Sequence, residues 1–275
     1  MSRNFRELLE AQWEKGTFLC VGLDPDFEKI PAAARQSGVK ETIVAFNRAI
    51  IDSTKDLVCA FKPNTAFYES HGDEGWNAMR ETIQYIQDVA PDVPVLLDAK
   101  RGDIGNTNNG YVESVFDHLR ADAVTVNPYP GREALLPFLE RKEKGIFVWC
   151  RTSNPGAGEF QDLRVDDQPL YKVVARHVAE HWNENDNCAL VVGATYPDEL
   201  HEVRSVVGDM PILIPAIGAQ HGNLEKTVKA GKDSRGRGMI ISASRAIIFA
   251  SSGEDFAQAA QEKATELHGA ILKAL

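Results

Sequence analysis

The sequence predicts a (β/α)8 barrel, with eight parallel strands closed into a ring, helices outside them and an extra N-terminal helix, all in one domain over residues 1–275. Three observations predict it. Eight short runs are almost continuously apolar, unlike the alternation of a strand with one wet face, so both faces should be covered. Between them lie segments with apolar residues three and four apart, the mark of amphipathic crossover helices. The run starts recur at intervals that bracket the ~30 residues of a strand, a helix and a return loop. A doubly wound open sheet is the alternative.

In chain order, Asn4 to Lys15 reads as the extra helix, covering the bottom of the barrel. The strands follow as FLCVGLD from Phe18, LVCAFKP from Leu57, VPVLLDAK from Val93, AVTVNP from Ala123, IFVWCRT from Ile146, CALVVGA from Cys188, PILIPAIG from Pro211 and MIISAS from Met239. Ile43, Phe46 and Ile50 mark one crossover helix, and Met79, Ile83 and Ile86 another. Thr152 to Pro169, rich in Gly, Pro and Asp, is the longest irregular stretch and has the length of a lid. GKDSRGRG from Gly231 precedes the eighth strand, so it belongs to the bottom face, where it reads as a solvated basic turn.

Composition narrows the function. Thirty basic against forty acidic residues give a net charge of −10, a field that repels nucleic acid and anionic membrane surfaces. An anionic substrate would need a local basic focus. No apolar run approaches the ~20 residues of a membrane helix, and Met1 to Trp13 mixes Arg, Glu and Asn where a signal sequence would be apolar, so a cytoplasmic protein is expected. Cys20, Cys59, Cys150 and Cys188 lie far apart in apolar runs and read as small buried hydrophobes. His177 and His181, four apart, have the spacing of metal ligands but no third ligand near them in sequence; a solvated helix face is the plainer reading. Without a phosphate-binding Walker loop, a dinucleotide fingerprint or a nucleophile elbow, the site is expected to need no cofactor and no metal.

In a barrel, polar residues at the C-terminal ends of the strands face the site. Those ends supply Asp24, Lys62, Asp98, Lys100, Asn127 and Arg151 to Ser153. Strand side chains alternate, so Asp98 and Lys100 point the same way, with Lys62 in reach from the neighbouring strand. Such an array could be a structural ion-pair network or a catalytic one, and spacing alone leaves the reaction open. A lysine among carboxylates stays protonated and suits a general acid better than a Schiff-base nucleophile. The loops after strands seven and eight, Gly218 to Asn223 and Ser242 to Arg245, are those that barrels use for phosphate; glycines there allow close backbone approach and Arg245 offers a bidentate fork. A phosphate monoester is the expected substrate class.

These residues resemble orotidine 5'-phosphate decarboxylase in its longer bacterial subgroup. Asp98-Ala-Lys100-Arg-Gly-Asp103-Ile104 is similar to the family's D-x-K-x-x-D-I signature, and Phe61-Lys62-Pro63-Asn64 to the subgroup's second-strand motif. The resemblance runs from about Phe18 to Arg245 and includes Gly22-Leu23-Asp24, Thr152-Ser153-Asn154-Pro155-Gly156, Pro215 to Gln220 and Ser244-Arg245. It implies that Lys100 protonates C6 of the pyrimidine, with Lys62, Asp98 and Asp103 completing the charged array. It further implies that Asp24 and Lys62 contact the ribose, Ser153 hydrogen-bonds the pyrimidine, Pro215 lines its pocket, and Gln220 with Arg245 holds the phosphate. Asp103, Ile104 and Thr107 would reach the site of a second subunit, making a homodimer the expected unit. Two departures stand out: the Thr152 to Pro169 loop is longer than in compact relatives, and Val126-Asn127-Pro128-Tyr129 replaces the usual fourth-strand end.

The first signature is shared with sister enzymes. One rival is therefore a sugar-phosphate decarboxylase or aldolase working through a metal-stabilised enediolate, although Lys62 stands where a metal would want an acid. Another is a pyrimidine-nucleotide-binding barrel without catalysis, against which intact Lys100 and Asp98 speak.

Overall fold

The near-continuous Val, Ile, Leu and Phe runs form eight parallel strands in a computed structural model that describes residues 3–195, 197–215 and 221–275, the side chains of 221–223 excepted. They are β1 Leu19–Leu23, β2 Val58–Pro63, β3 Leu96–Arg101, β4 Ala123–Val126, β5 Gly145–Arg151, β6 Cys188–Val192, β7 Ile212–Ile214 and β8 Met239–Ala243. The hydrogen-bonded order is β2-β1-β8-β7-β6-β5-β4-β3, and parallel bridges Phe61↔Val95 and Asn64↔Asp98 close the ring between β2 and β3. Outside it pack α1 Phe5–Glu14, α2 Val39–Thr54, α3 Gly72–Val89, α4 Thr107–Val112, α5 Gly131–Leu139, α6 Leu170–His177, α7 Pro197–Val207, α8 His221–Gly231 and α9 Phe256–Ala274. The ring is closed as expected, which disposes of the open sheet. Among the described residues no helix is long and apolar enough to cross a membrane.

The register breaks where function is expected. Leu97 pairs with Val124 and Arg101 with Val126, so three residues of β3, Asp98 to Lys100, stand opposite the single residue Thr125. The surplus makes a bulge, and Lys100 takes a left-handed backbone at φ 49°. A second shift lies between Trp149 and Arg151 of β5.

At the other end, α1 is the floor. Asn4 caps it, its side chain accepting from the Glu7 amide; Phe5 meets Phe147 edge-on at 5.5 Å, and the Trp13 indole donates to the Met239 carbonyl at 3.0 Å. Arg3 bridges to the fully buried Asp122 at 2.8 Å.

Two loops differ from expectation. The stretch after β5 is ordered: a 3-10 turn at Pro155–Ala157, a short helix Gly158–Gln161, and a two-residue antiparallel pairing of Arg164–Val165 with Gln168–Pro169. Asp166 and Asp167 turn the hairpin with φ 47° and 61°. The basic segment after Gly231 is exposed at Ser234 and Arg235, as expected of a solvated turn, but is tied to the floor more closely than a free turn would be. Its Asp233 carboxylate accepts the Arg235 and Arg237 amides at 2.9 and 2.7 Å, and Arg235 reaches back to Glu10 of α1 at 3.1 Å.

The cysteines are buried and unpaired with one another, as expected, and burial raises every thiol, those of Cys20, Cys150 and Cys188 to about 12. His177 and His181 lie exposed on one helix face with rings 5.5 Å apart, and no metal-binding group of His, Cys, Asp or Glu occurs among the described residues.

Candidate active site

The C-terminal ends of β2 and β3 build the centre. Lys62, buried at 6% exposure, donates to Asp98 Oδ2 at 3.2 Å, and Lys100 donates to Asp98 Oδ1 at 2.7 Å. Asp98 takes two further hydrogen bonds, from Asn64 Nδ2 to Oδ2 at 3.1 Å and from Thr125 Oγ1 to Oδ1 at 2.9 Å. Each carboxylate oxygen thus accepts two donors. Burial alone would raise the Asp98 pKa, but Lys62 and Lys100 outweigh it and hold the group below the ordinary aspartate range. Burial likewise opposes the charge on Lys62, yet Asp98 and then Asp24 more than offset it, so its ammonium stays above the usual lysine range.

These groups face a cavity of ≈ 260 Å³ at the top of the barrel, with Thr152, Ser153, Pro215 and Trp149 on its other walls. The Lys100 ammonium lies 5.3 Å from the centre of the Trp149 ring, a cation–π contact that turns it into the cavity. Ser153 is placed by Gly193. A Cβ on Gly193 would fall 2.8 Å from Ser153 Cβ and 3.0 Å from its backbone nitrogen, a closeness that only glycine permits. Asp24 follows β1, half-buried, and its Oδ1 is buried without a hydrogen-bond partner. Such an acceptor is what a ligand hydroxyl would satisfy. Gly22 lets β8 close in beside it, with the Ser244 hydroxyl donating to the Gly22 carbonyl at 3.2 Å. Arg245 next to Ser244 is exposed and opens the short helix Arg245–Ile248.

The structure therefore brings together Lys62, Asp98, Lys100, Ser153 and Pro215, with Asp24 near enough to act on Lys62. It does not bring Asp103 to the array within one chain: that carboxylate accepts the amide of Ile104 at 2.7 Å instead. Ile104, 68% exposed, and Thr107, exposed at the start of α4, are likewise not among the residues lining the cavity. Gln220 lies outside the described residues. Arg151, one of the strand-end candidates, turns outward from the ring to Glu199 of α7 at 3.0 Å and to Asp162 at 3.2 Å. It fastens the root of the following loop, where Gln161 Oε1 also accepts the Thr152 amide at 2.9 Å.

Sequence reasoning missed three members. Asn64 lay inside the second-strand motif without a role, and Trp149 read as an ordinary strand residue. Thr125 was hidden in AVTV, although a hydroxyl in a fully buried strand was the signal that could have found it.

Comparison with known proteins agrees with this geometry. Residues 17–261 match the model of the Orotidine 5'-phosphate decarboxylase / HUMPS family. The chain is 49% identical over 269 residues to an orotidine 5'-phosphate decarboxylase of Cellvibrio japonicus, covering 98% of each chain. It is 50% identical over 268 residues to that of Cupriavidus metallidurans, covering 97% of each. Among solved structures, Leishmania donovani OMP decarboxylase superposes with a TM-score of 0.84 at 38% identity, over 98% of this chain and 99% of that one. Leishmania donovani UMP synthase gives 0.84 at 39% identity, over 97% of this chain and 56% of the longer partner.

Proposed function

The chain belongs to the orotidine 5'-phosphate decarboxylase / HUMPS family, and we propose that it converts orotidine 5'-phosphate to uridine 5'-phosphate and CO2 without a cofactor. The observation that carries this reading is the Lys62–Asp98–Lys100 cluster, rooted in buried Lys62 and open to the cavity at Lys100, with Ser153 and Pro215 on other walls. Cleavage of the bond between C6 and the carboxylate leaves an electron pair on a ring carbon with no cofactor to delocalise it. The protein must then favour that charge electrostatically. The Lys100 ammonium meets the growing negative charge and transfers its proton to C6, ending as a neutral amine that solvent reprotonates. Asp98 opposes the substrate carboxylate and is relieved once neutral CO2 has formed. Lys62 keeps Asp98 ionised.

In the same reading Asp24 and Lys62 bind the ribose, Ser153 the pyrimidine, and Gln220 with Arg245 the phosphate. Their binding energy lies away from the breaking bond and can support closure of the loop after β5. Asp103, Ile104 and Thr107 serve the site across a homodimer, a role that the exposure of Ile104 and the absence of Asp103 from the lining of its own cavity support. We place residues 1–275 in one domain and the protein in the cytoplasm. Lys62 at the second-strand end disfavours the metal-dependent sugar-phosphate reaction.

The test is incubation with orotidine 5'-phosphate in the presence of chelator, following CO2 and the ultraviolet absorbance of the ring. Turnover that survives chelator, and is lost in Lys100→Ala while uridine 5'-phosphate still binds, supports the reading. Absence of turnover in the wild-type protein, or full turnover in Lys100→Ala, overturns it.

A further inference from the structure

We propose that Thr125 is a positioning residue for the proton donor: its hydroxyl fixes the β3 bulge so that Lys100 and Asp98 are presented to the cavity as one unit. The proposal rests on the decarboxylase reading and adds to it a residue outside the charged array. Thr125 is 1% exposed, and its Oγ1 makes two hydrogen bonds of opposite sense. It accepts the backbone N–H of Lys100 at 2.9 Å and donates to Asp98 Oδ1 at 2.9 Å. The same carboxylate oxygen receives the Lys100 ammonium at 2.7 Å. A loop of contacts results, running from the Lys100 backbone through Thr125 and Asp98 back to the Lys100 side chain.

The loop answers a local difficulty. The bulge sets three residues of β3 against Thr125 alone, so the Lys100 amide has lost its place in the regular ladder between β3 and β4. Lys100 also holds a left-handed backbone, at φ 49°, that a residue with a Cβ adopts only when its surroundings enforce it. A valine at 125 would fill the same space and satisfy neither need. The Lys100 amide would lack its acceptor and Asp98 one donor, and the backbone of Lys100 would be free to relax towards an ordinary strand, carrying its ammonium away from the reacting carbon. Thr125 also lines the cavity, but valine keeps its volume there, and Thr125 makes no hydrogen bond to Asp24, Ser153 or Arg245, so the substrate contacts assigned to those residues keep their places.

The experiment compares wild type, Thr125→Val and Thr125→Ser in turnover of orotidine 5'-phosphate, with thermal unfolding and uridine 5'-phosphate affinity measured on each. For T125V the expected loss in kcat is roughly 10- to 100-fold, the size of a hydrogen bond to a charged group, with KM and product affinity changed by less than about threefold on the same principle. T125S keeps the oxygen and should recover to within about threefold of wild type. Should T125V fail to fold, Thr125→Cys replaces it, and the expected order of kcat is Thr, then Ser, then Cys, since a thiol is the weaker donor and acceptor. The proposal is overturned if folded T125V keeps wild-type kcat, if T125S is as slow as T125V or T125C, or if kcat and product affinity fall together. Inactive wild type would instead overturn the decarboxylase reading itself.

Discussion

Gly193→Ala is the sharpest test of how the cavity wall is set. The added methyl would sit 2.8 Å from Ser153 Cβ, 3.0 Å from its nitrogen and 3.1 Å from its Cα. Carbon atoms prefer roughly 3.5 to 4.0 Å, so something must move by about 1 Å, and two of the three atoms met are backbone, which no rotamer change can clear. Gly193 cannot readily retreat: its amide donates to the Arg151 carbonyl at 2.9 Å, and the next amide, of Ala194, donates to the Pro215 carbonyl at 3.1 Å. The strain therefore falls on Ser153. Overpacking of this kind costs about 1 to 3 kcal/mol of stability, and a shift of about 1 Å in a substrate-positioning group can cost on the order of 100-fold in rate. Ser153→Ala removes one neutral hydrogen bond without moving the backbone and should cost only about 3- to 12-fold. The assay is kcat/KM for orotidine 5'-phosphate on both variants, with unfolding curves to show that each is folded. A folded G193A enzyme that matches wild type, or outperforms S153A, would refute the placement of Ser153 by Gly193.

Three further outcomes are expected. Asp98 has a lowered pKa in the folded protein, so its contribution to stability is complete above the unfolded value of about 3.9 and is lost as pH falls through the folded one; unfolding titrations between about pH 2 and 5 should show this acid loss in wild type and a shallower one in Asp98→Asn, and equal slopes would count against the cluster. Arg151→Met leaves Glu199 and Asp162 without their cation, and because those carboxylates are 26% and 50% exposed and stay hydrated the loss should be about 1 to 2 kcal/mol, below that of a broken buried pair, with faster proteolysis within residues 155–169; unchanged cleavage would show that the loop is held elsewhere. Arg245→Ala should raise KM by roughly 10-fold or more, the size of a charge-assisted hydrogen bond, and a phosphate-free nucleoside should be indifferent to it; the opposite pattern would remove Arg245 from the phosphate.

How much of this was legible depends on which forces write themselves into residue order. The strands were, because burial on both faces makes FLCVGL or CALVV continuous where a half-wet strand would alternate. The meeting of Asp98 and Lys100 was also legible, but on a different physical ground from the one that operates. Simple alternation was the expectation; a bulge and a left-handed lysine bring the two together. Thr125, which supports that bulge, is a β-branched residue at home in any strand, so only the presence of a hydroxyl in an otherwise apolar run hinted at its use. The hairpin after β5 escaped because its turn is Asp166-Asp167; both residues take positive φ, as a tight hairpin turn requires, where the usual sign would be Asn-Gly or Asp-Gly. Arg151 stood at a strand end, as site residues do, yet the second register shift directs it outward to α7. Register defects of this kind depend on the partner strand, which lies dozens of residues away.

The left-handed lysine sets thermodynamic fitness against chemistry at one position. A glycine at 100 would occupy φ 49° freely, whereas an L side chain there costs on the order of 1 kcal/mol. Directed evolution of this chain for heat resistance alone would set that backbone relief against the lost Lys100–Asp98 ion pair, and any glycine it admitted at position 100 would leave the barrel with a dead centre. Selection for turnover must retain the lysine whichever way that balance falls, so only this second regime forbids change at the codon.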